Sequence, residues 1–203
     1  DGARHGIGTR DWIQLGGDID GEALGDNSGH GVSLSSDGLT VAIGAGNNDG
    51  NGKSSGHTRI YTWSGGAWNQ LGADIDGEAA YDKSGIGLAL SSDGRTVAIG
   101  AYDNDDNGSS SGHTRIFQWD GQSWNQVGVD IEGEAAGDWS GHAVSLSGDG
   151  LTVAIGARYN GGNGSESGHT RVYRWDGTAW GQLGIDLDGE AADDESGETV
   201  ALS

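Results

Sequence analysis

The stretch GHTRIYTWSGGAWNQLG at residues 56–72 recurs as GHTRIFQWDGQSWNQVG at 112–128 and as GHTRVYRWDGTAWGQLG at 168–184. Its W-x-Q-[LV]-G ending is also present at Trp12, so the period is 56 residues along the chain. A fixed period of this size is typical of repeat architectures, in which each unit buries its apolar face against the next. We divide the single repeat domain 1–203 into an irregular start at 1–11, repeats at 12–67, 68–123 and 124–179, and a partial repeat at 180–203.

The first complete unit contains four short stretches with strand character. GVSLS at 31–35 alternates apolar and polar residues, whereas TVAIGA at 40–45 is nearly continuous, as in a strand covered on both faces. The Asp-Gly pair between them is a hairpin signal because Gly accepts a positive φ. HTRIYTW at 57–63 and AWNQL at 67–71 are the third and fourth strands. The later strands are predicted at 87–91, 96–101, 113–119, 123–127, 143–147, 152–157, 169–175, 179–183 and, as a new first strand, 198–203.

Four short antiparallel strands in each repeat, with no helical stripe, predict an all-β fold of β-propeller blades. A parallel β-solenoid is the second alternative. In a propeller the periodic tryptophans fill the space between blades. About three and a half repeats do not close a ring, and an open propeller exposes strand edges that invite aggregation. We therefore expect a homodimer that completes close to seven blades, or a place in a longer repeat chain.

Three stretches of the first unit resemble a known family: GVSLS at 31–35, VAIGA at 41–45 and GHTRIY at 56–61. They are similar to the FG-GAP repeats of integrin α-subunit propellers and their bacterial relatives, and the resemblance extends from Trp12 onward. It implies a seven-bladed extracellular propeller used for adhesion or as a ligand platform. The calcium loop of the family lies between the first and second strands. Here that link is only SSDG or SGDG, so the calcium site of the family does not transfer.

Composition excludes several classes of function. Ten basic and 31 acidic residues give a formal charge of −21, which argues against nucleic acid and anionic membrane surfaces. No apolar run approaches the roughly 20 residues that span a bilayer, so we expect no membrane insertion. Cysteine is absent, which removes disulfides, thiolate zinc sites and cysteine nucleophiles. The absence of cysteine does not fix the compartment, whereas the resemblance implies a secreted or cell-surface protein.

An acidic motif, D-x-[DE]-G-E-A-x-x-D, recurs between the fourth strand of one unit and the first strand of the next. Carboxylates at alternate positions offer the hard oxygen ligands that calcium prefers, although the glycine is misplaced for an EF-hand. The alternative is a solvated connection whose aspartates cap turns. Its four copies are Asp18, Asp20, Glu22 and Asp26; Asp74, Asp76, Glu78 and Asp82; Asp130, Glu132, Glu134 and Asp138; and Asp186, Asp188, Glu190 and Asp194.

A second candidate for calcium is the loop DNDDNG at 103–108. Asp103, Asp105 and Asn107 match the opening of a calcium loop, but no Glu completes it at the twelfth position. The alternative is a polar Asn-Gly turn. A histidine also recurs before each third strand, with no second histidine nearby to form a zinc pair, and we interpret it as a structural hydrogen-bonding residue. These residues are His57, His113 and His169.

Recognition residues are expected where the repeats differ. Trp139 replaces Asn27, Lys83 and Glu195 of the other units, so packing does not require an aromatic side chain there. Variable loops on a rigid scaffold commonly carry recognition, and exposed aromatic rings contact sugars or protein partners. Simple sequence drift is the alternative. The predicted ligand-binding residues are Tyr81, Tyr102, Trp139, Arg158 and Tyr159.

Catalysis finds little support in the sequence. A glycosidase requires two carboxylates set apart by their surroundings, whereas these carboxylates recur in every unit. No G-x-S-x-G elbow or phosphate-binding glycine loop is present. We expect a non-enzymatic extracellular scaffold for adhesion or protein assembly, stiffened by calcium. The alternative is a carbohydrate-binding lectin that uses the loop aromatics, and an enzyme is a distant third.

Overall fold

The computed structural model describes residues 12–203, and the irregular start predicted at 1–11 lies outside them. The described part of the chain contains fifteen strands in three antiparallel sheets and no helix. The strands of the first sheet are β1 (Val32–Leu34), β2 (Thr40–Ala45), β3 (His57–Ser64), β4 (Ala67–Gln70) and β5 (Ile75–Asp76). Those of the second are β6 (Leu88–Leu90), β7 (Thr96–Ala101), β8 (His113–Trp119), β9 (Trp124–Gln126) and β10 (Ile131–Glu132). Those of the third are β11 (Ser140–Leu146), β12 (Thr152–Ala157), β13 (His169–Trp175), β14 (Trp180–Gln182) and β15 (Leu187–Asp188).

Each sheet is an antiparallel meander in chain order whose last two short strands share the fourth position, and this confirms the predicted blade. The predicted second strand at 40–45 agrees with β2 at both ends, because its apolar run stops at the turn residues on either side. In the first hairpin, the Asp37 carboxylate accepts hydrogen bonds from the Ser35 hydroxyl and the Leu39 amide, at 2.7 and 2.9 Å. Gly38 completes that turn with a φ of 73°.

The outermost strand of each blade is longer than predicted and is broken in the middle. β4 pairs with the second half of β3, and the two-residue strand β5 pairs with the first half, His57 opposite Asp76. The break falls at Gly72, where a Cβ atom would lie 2.7 Å from the Trp119 ring of the next blade. The start of the acidic motif is therefore part of the sheet, whereas the sequence placed it in a connection.

The hydrophobic core lies between the sheets and not within any one of them. Branched and aromatic side chains from the facing blades form one cluster at each contact. Between the first and second sheets these are Ala42, Ile60, Ile75, Leu90, Val97, Ile99 and Phe117. Between the second and third sheets they are Ala89, Ala98, Ile116, Ile131, Leu146, Val153, Ile155 and Tyr173. A single blade therefore cannot bury its own apolar faces, as expected for a repeat protein.

The periodic tryptophans join neighbouring blades, as predicted. Trp124 packs against Trp119 with ring centroids 5.5 Å apart, and its indole N–H donates to the Leu71 carbonyl of the preceding blade at 2.8 Å. Trp68 and Trp180 make the same bond to Leu15 and Val127. Trp12 is fully exposed. The residue one period before Trp63 falls within 1–11, outside the described residues.

Glycines allow the inner strands to approach closely. A Cβ atom on Gly44 would lie 1.9 Å from the carbonyl oxygen of Gly85, and one on Gly100 would lie 1.9 Å from that of Gly141. Such distances are far inside van der Waals contact, so only glycine fits. The TVAIGA stretch therefore has glycine at its fifth position because the next blade approaches there.

The new first strand predicted at 198–203 is not formed. The reason is pairing, because a strand needs a hydrogen-bonded neighbour and the described residues supply no second strand beside it. These residues keep one contact of the repeat pattern, in which the Leu202 amide donates to the Ser145 hydroxyl at 2.9 Å. Leu90 donates to Ser33 in the same way. Within residues 12–203 no helix is long and apolar enough to cross a membrane.

Candidate functional site

The candidate residues meet at one edge of the three sheets. In the second blade, Ala101 at the end of β7 lies opposite His113 at the start of β8, and His113 lies opposite Glu132 in β10. The loop that follows β7 and the acidic connection that follows β10 therefore leave the sheet at the same edge. A parallel bridge between Gly112 and Ser140 ties them together. Every blade repeats this arrangement, so one edge of the scaffold collects the variable loops and most of the carboxylates.

A buried histidine lies at the centre of each acidic cluster. The Nδ1 atom of His113 lies 3.6 Å from Oδ2 of Asp130 and 3.8 Å from Oε2 of Glu78. These separations exceed a hydrogen bond, and within the described residues neither ring nitrogen of His113 has a hydrogen-bond partner. Asp106 adds a fourth ligand atom to this set. The equivalent sets in the other blades are Glu22, His57 and Asp74, and Glu134, His169 and Asp186.

Each histidine-centred set takes its carboxylates from two copies of the acidic motif. Glu78 precedes His113 in the chain and Asp130 follows it, so the set spans a blade junction. Arg115 reinforces the arrangement, because its guanidinium donates to the Asp76 carbonyl at 2.7 Å and lies 3.4 Å from Oε1 of Glu78. Gln126 donates to the other carboxylate oxygen of Asp130. The oxygens that face the histidine are thus held in place by partners on their far sides.

Burial and crowding of negative charge shift the pKa values in this region. Burial lowers the pKa of His113 and of His169, and the neighbouring arginine acts in the same direction. These imidazoles are therefore neutral near pH 7. Burial raises the pKa of Glu78, and burial together with Asp130, Asp106 and Glu78 raises the pKa of Glu132 to about 7. Nitrogen and oxygen ligands converge here in groups that could hold a metal ion.

The four carboxylates of one motif copy take different positions. Asp82, the last acid of its copy, is buried and accepts hydrogen bonds from the Ala79 amide at 2.8 Å and the Asn104 side chain at 3.3 Å. It caps a turn, as the alternative interpretation proposed. In the first copy, Asp18 is exposed beside Gln14, and the carbonyl of Asp20 accepts from Arg59. Among the described residues, no convergent group contains three carboxylates of the same copy.

The predicted calcium loop is organised by hydrogen bonds of its own. Ser110 donates its amide to Asp105 at 2.7 Å and its hydroxyl to Asp103 at 2.5 Å. Asn107 donates its side-chain amide to the Gly133 carbonyl at 2.7 Å. The third blade has Tyr159 and Gly161 at the two aspartate positions, yet Asn163 makes the same bond to Gly189. The loop shape therefore does not depend on the two aspartates, and calcium at this loop stays a prediction.

Four of the five predicted ligand-binding residues lie together at the junction of the second and third blades. The Trp139 ring lies 4.7 Å from Tyr102 and 4.7 Å from Tyr159, and the Arg158 guanidinium lies 4.4 Å from the Tyr159 ring. All four are half-buried. We call Tyr102, Trp139, His142, Arg158 and Tyr159 the aromatic cluster.

Tyr81 lies outside the aromatic cluster, 52% exposed, with Lys53 over its ring. The sequence missed His142, whose ring stacks on Trp139 at 6.1 Å. Its position is Ile86 in the second repeat, and that difference was the available signal. The sequence also did not predict that each of the third-strand histidines lies beside a glutamate and an aspartate. The signal was their recurrence at fixed repeat positions, but only the topology brings them together.

Several solved structures are similar to this chain. A putative 6-phosphogluconolactonase from Bacteroides uniformis matches with a TM-score of 0.50 and 13% identity, covering 81% of this chain and 42% of its own. Hydrazine synthase from Kuenenia stuttgartiensis matches with a TM-score of 0.47 and 13% identity, over 86% of this chain and 42% of its own. The chain thus spans about two fifths of the length of these proteins. At this identity the likeness concerns the fold alone.

Sequence comparison identifies the repeat. A search of curated proteins finds no match. The family model of the FG-GAP repeat matches residues 132–173, which run from the end of the second sheet through the first three strands of the third. The segments 76–117 and 20–61 carry the same motifs one and two periods earlier. Residues 132–173 are therefore similar to an FG-GAP repeat, and the same 56-residue unit recurs along the chain.

Proposed function

We propose that this β-propeller scaffold serves adhesion or protein assembly outside the cell, with the aromatic cluster as its contact surface. The observation that supports this is a repeated frame that presents one non-repeated group of half-buried aromatic rings at a blade junction. Rigid aromatic side chains and arginine are enriched at the energetic centres of protein interfaces. Because the chain carries a formal charge of −21, a partner with a basic rim would fit around the cluster.

A non-enzymatic role is part of this proposal. Most carboxylates that could act as acid and base recur at equivalent positions in successive blades. Catalysis by paired carboxylates needs two groups whose environments differ. The aromatic cluster contains one titratable imidazole, His142, whose Nδ1 is buried and lacks a hydrogen-bond partner among the described residues. These features support a role in binding a partner rather than in catalysis.

The test is binding of the labelled chain to an array of purified extracellular proteins. We expect at least one protein to bind the native chain and to lose about tenfold or more in affinity with Trp139→Lys, the size typical of an interface anchor. Lys83→Ala is the matched control, because Lys83 occupies the same repeat position at the first junction. Equal binding by Trp139→Lys and the native chain would remove the aromatic cluster from the proposal.

Glycan binding is the second candidate function. The observation that favours it is the partial exposure of three aromatic rings within one cluster, since ring faces serve as platforms for sugars. A glycan array probed with the native chain and with Trp139→Ala distinguishes the two functions. Signals that vanish with Trp139→Ala support the lectin. An array without signals, beside a positive protein array, supports adhesion to protein.

Calcium is proposed to stiffen the scaffold, as the acidic loops suggest. A ligand of the native state raises stability by mass action, by about 2.7 kcal/mol at a concentration one hundred times its Kd. The melting temperature should therefore rise with added calcium and fall on chelation with EGTA. Asp105→Gly, which copies Gly161 of the third blade, should reduce the rise if the loop holds the ion. A melting temperature insensitive to millimolar calcium would exclude this part of the proposal.

A second copy of the chain is proposed to cover the two outer sheet faces. Leu34 of the first blade is 55% exposed, whereas its counterpart Leu90 is 8% exposed. On the third blade Leu187 is 59% exposed, whereas Ile131 is 6% exposed. The two exposed faces are the same faces that pack together inside the chain, so head-to-tail contact would recreate an internal junction.

Solution mass from light scattering tests this pairing. We expect the mass of two chains for the native protein and of one chain for Leu34→Glu. Leu39→Glu is the matched control, because Leu39 is also exposed but lies in the turn between β1 and β2. A native mass of one chain at micromolar concentration would contradict the pairing.

A further inference from the structure

The histidines at the blade junctions are buried in an unusual way. His113 has no exposed side-chain surface, and both of its ring nitrogens lack hydrogen-bond partners within the part of the chain that the structure describes. His169 is the same, with 1% exposure. A buried polar group without a partner destabilises the fold, and such groups call for an explanation. Each imidazole is aimed into a set of carboxylates that lie just beyond hydrogen-bonding distance.

The spacing of these atoms suits a shared metal ion. His113 Nδ1 lies 3.6 Å from Asp130 Oδ2 and 3.8 Å from Glu78 Oε2, and all four ligand atoms of the set lie within 4.8 Å of one another. Two ligands of a tetrahedral zinc ion, each about 2.1 Å from the metal, lie about 3.4 Å apart. A contraction of a few tenths of an ångström would bring the two histidine–carboxylate distances to this value. The carboxylates supply the negative charge, and Arg115 compensates only part of it.

We propose that His113, Glu78, Asp130 and Asp106 bind a divalent transition metal ion of the zinc type. The three-residue sets around His57 and His169 are proposed to bind the same ion with fewer protein ligands. One imidazole with carboxylates is a donor set for borderline metals, whereas calcium takes six to eight oxygens.

The second coordination shell is already in place around the proposed site. Arg115 engages Oε1 of Glu78, which leaves Oε2 to face the histidine. Gln126 engages Oδ1 of Asp130 and leaves Oδ2 free in the same way. Such outer partners orient metal ligands and tune their affinity. An ion at this place would cross-link two successive repeats, since glutamate comes from one motif copy and aspartate from the next.

The central site differs from its neighbours in one residue. Asp106 is replaced by Gly50 in the first blade and by Gly162 in the third. The central set therefore has one more carboxylate, and we expect it to bind zinc more tightly than the flanking sets. Asp106→Gly converts it to the type found in the other blades. Loss of one ligand should weaken zinc binding at the central site at least as much as loss of an outer partner, about 10- to 100-fold.

The test is equilibrium dialysis of the full chain against zinc with millimolar calcium present, and cobalt absorption spectra as a second readout of coordination. We expect three zinc ions to bind to each native chain and two to each Glu78→Gln chain. For Asp106→Gly we expect three ions, with a lower affinity at the central site. Glu190→Gln is the matched control, because Glu190 has the same motif position but no third-strand histidine follows it in the chain. It should retain three ions.

Several outcomes would overturn the proposal. One is zinc binding below one ion per chain, and another is the same number of ions for Glu78→Gln as for the native chain. Displacement of zinc by calcium at equal concentration would also contradict the assignment of the ion. Glu78 is 40% exposed, so its isosteric amide should fold. Circular dichroism checks this, and Asp130→Asn serves as the second variant if it does not.

Discussion

The first and second blade junctions share one frame but present different surfaces. At the first junction Lys83 donates to Asn47 at 2.6 Å, and Gly46 leaves room for Ile86. At the second junction the same four repeat positions hold Trp139, Asp103, Tyr102 and His142, and three of these belong to the aromatic cluster. Beneath both surfaces the glycine contacts and indole hydrogen bonds are the same, and the histidine-centred sets differ only in Asp106. The frame therefore fixes the backbone, and the junction surface is free to vary.

The backbone geometry shows how this freedom arises. Lys83 and Trp139 both adopt a positive φ, 61° and 57°, in the turn before the first strand of their blades. The turn accepts either side chain because its shape is set by backbone bonds, such as Lys83 to Ser54 and Trp139 to Ser110 at 3.2 Å in each case. A large side chain at this position therefore adds contacts without altering the frame. Four substitutions test whether the shared frame and the junction surface contribute separately to stability.

The largest effect is expected from Gly100→Ala, which disrupts the close contact between blades in the shared frame. The new Cβ would lie 1.9 Å from the Gly141 carbonyl, so the second and third blades must separate. We expect a loss of about 3 kcal/mol in the free energy of unfolding, the upper range for overpacking. Urea unfolding measures it. Gly17→Ala is the control, since nothing lies within 4 Å and the second repeat already has Ala73 there. If both variants lose equal stability, the close approach is not the cause.

Trp139→Lys should make the second junction resemble the first. It removes the contacts of the indole with Tyr102, Tyr159 and His142 but keeps a residue that the first junction tolerates at the same φ. For a half-buried tryptophan we expect a loss of about 2 kcal/mol in unfolding free energy, roughly half the cost at a fully buried site. Lys83→Ala should cost less than about 1 kcal/mol. Equal losses would mean that the aromatic cluster adds nothing to the frame.

Trp124→Phe tests the indole bond between blades. The indole N–H donates to the Leu71 carbonyl at 2.8 Å, and phenylalanine lacks this donor. We expect a loss of about 1 kcal/mol in unfolding free energy, the usual net value of one hydrogen bond. Trp12→Phe is the control, because Trp12 is fully exposed and should be neutral. The comparison uses the midpoint of thermal unfolding, and a neutral Trp124→Phe would show that ring packing alone joins the blades.

His142→Ile gives the smallest effect and depends on pH. Burial, with Arg158 nearby, lowers the pKa of His142. The unfolded chain, whose histidine pKa is about 6.5, then binds the proton more readily than the folded chain, so stability falls as pH drops below that value. Isoleucine, which the first junction carries as Ile86, removes this pH-dependent loss of stability. We expect the variant to lose less stability than the native chain between pH 7 and pH 5, by under about 1 kcal/mol because the site is half-exposed. A constant difference across that range would contradict the assignment.

Local patterns accounted for most of the fold. The strand at 40–45 and its two counterparts were predicted to the residue, because apolar runs bounded by Asp-Gly turns encode strands locally. The two-residue strand Ile75–Asp76 was missed, because its only strand signal is its pairing with β3 across the blade. The predicted strand at 198–203 was wrong for a related reason, since its pattern was present without a pairing neighbour.

The candidate site residues also divide into those that the repeat pattern predicted and those that only the fold brings together. Trp139, Tyr102, Arg158 and Tyr159 were predicted as variable positions, and they cluster because equal repeat positions leave the sheets at one edge. Tyr81 precedes that turn and contacts Lys53 instead. Glu78, His113 and Asp130 are far apart in the chain, and no short sequence pattern connects them. Only the stacking of the blades brings them together.

The sharing of each histidine-centred set between two repeats bears on how such a chain could lengthen in evolution. Glu78 on one side of a junction and His113 with Asp130 on the other form a complete set wherever two units adjoin. An unequal crossover that inserts 56 residues therefore creates one more whole set, whatever codon the exchange begins at. Duplication need not respect the borders of a blade, and growth by such steps never leaves an orphaned half inside the array.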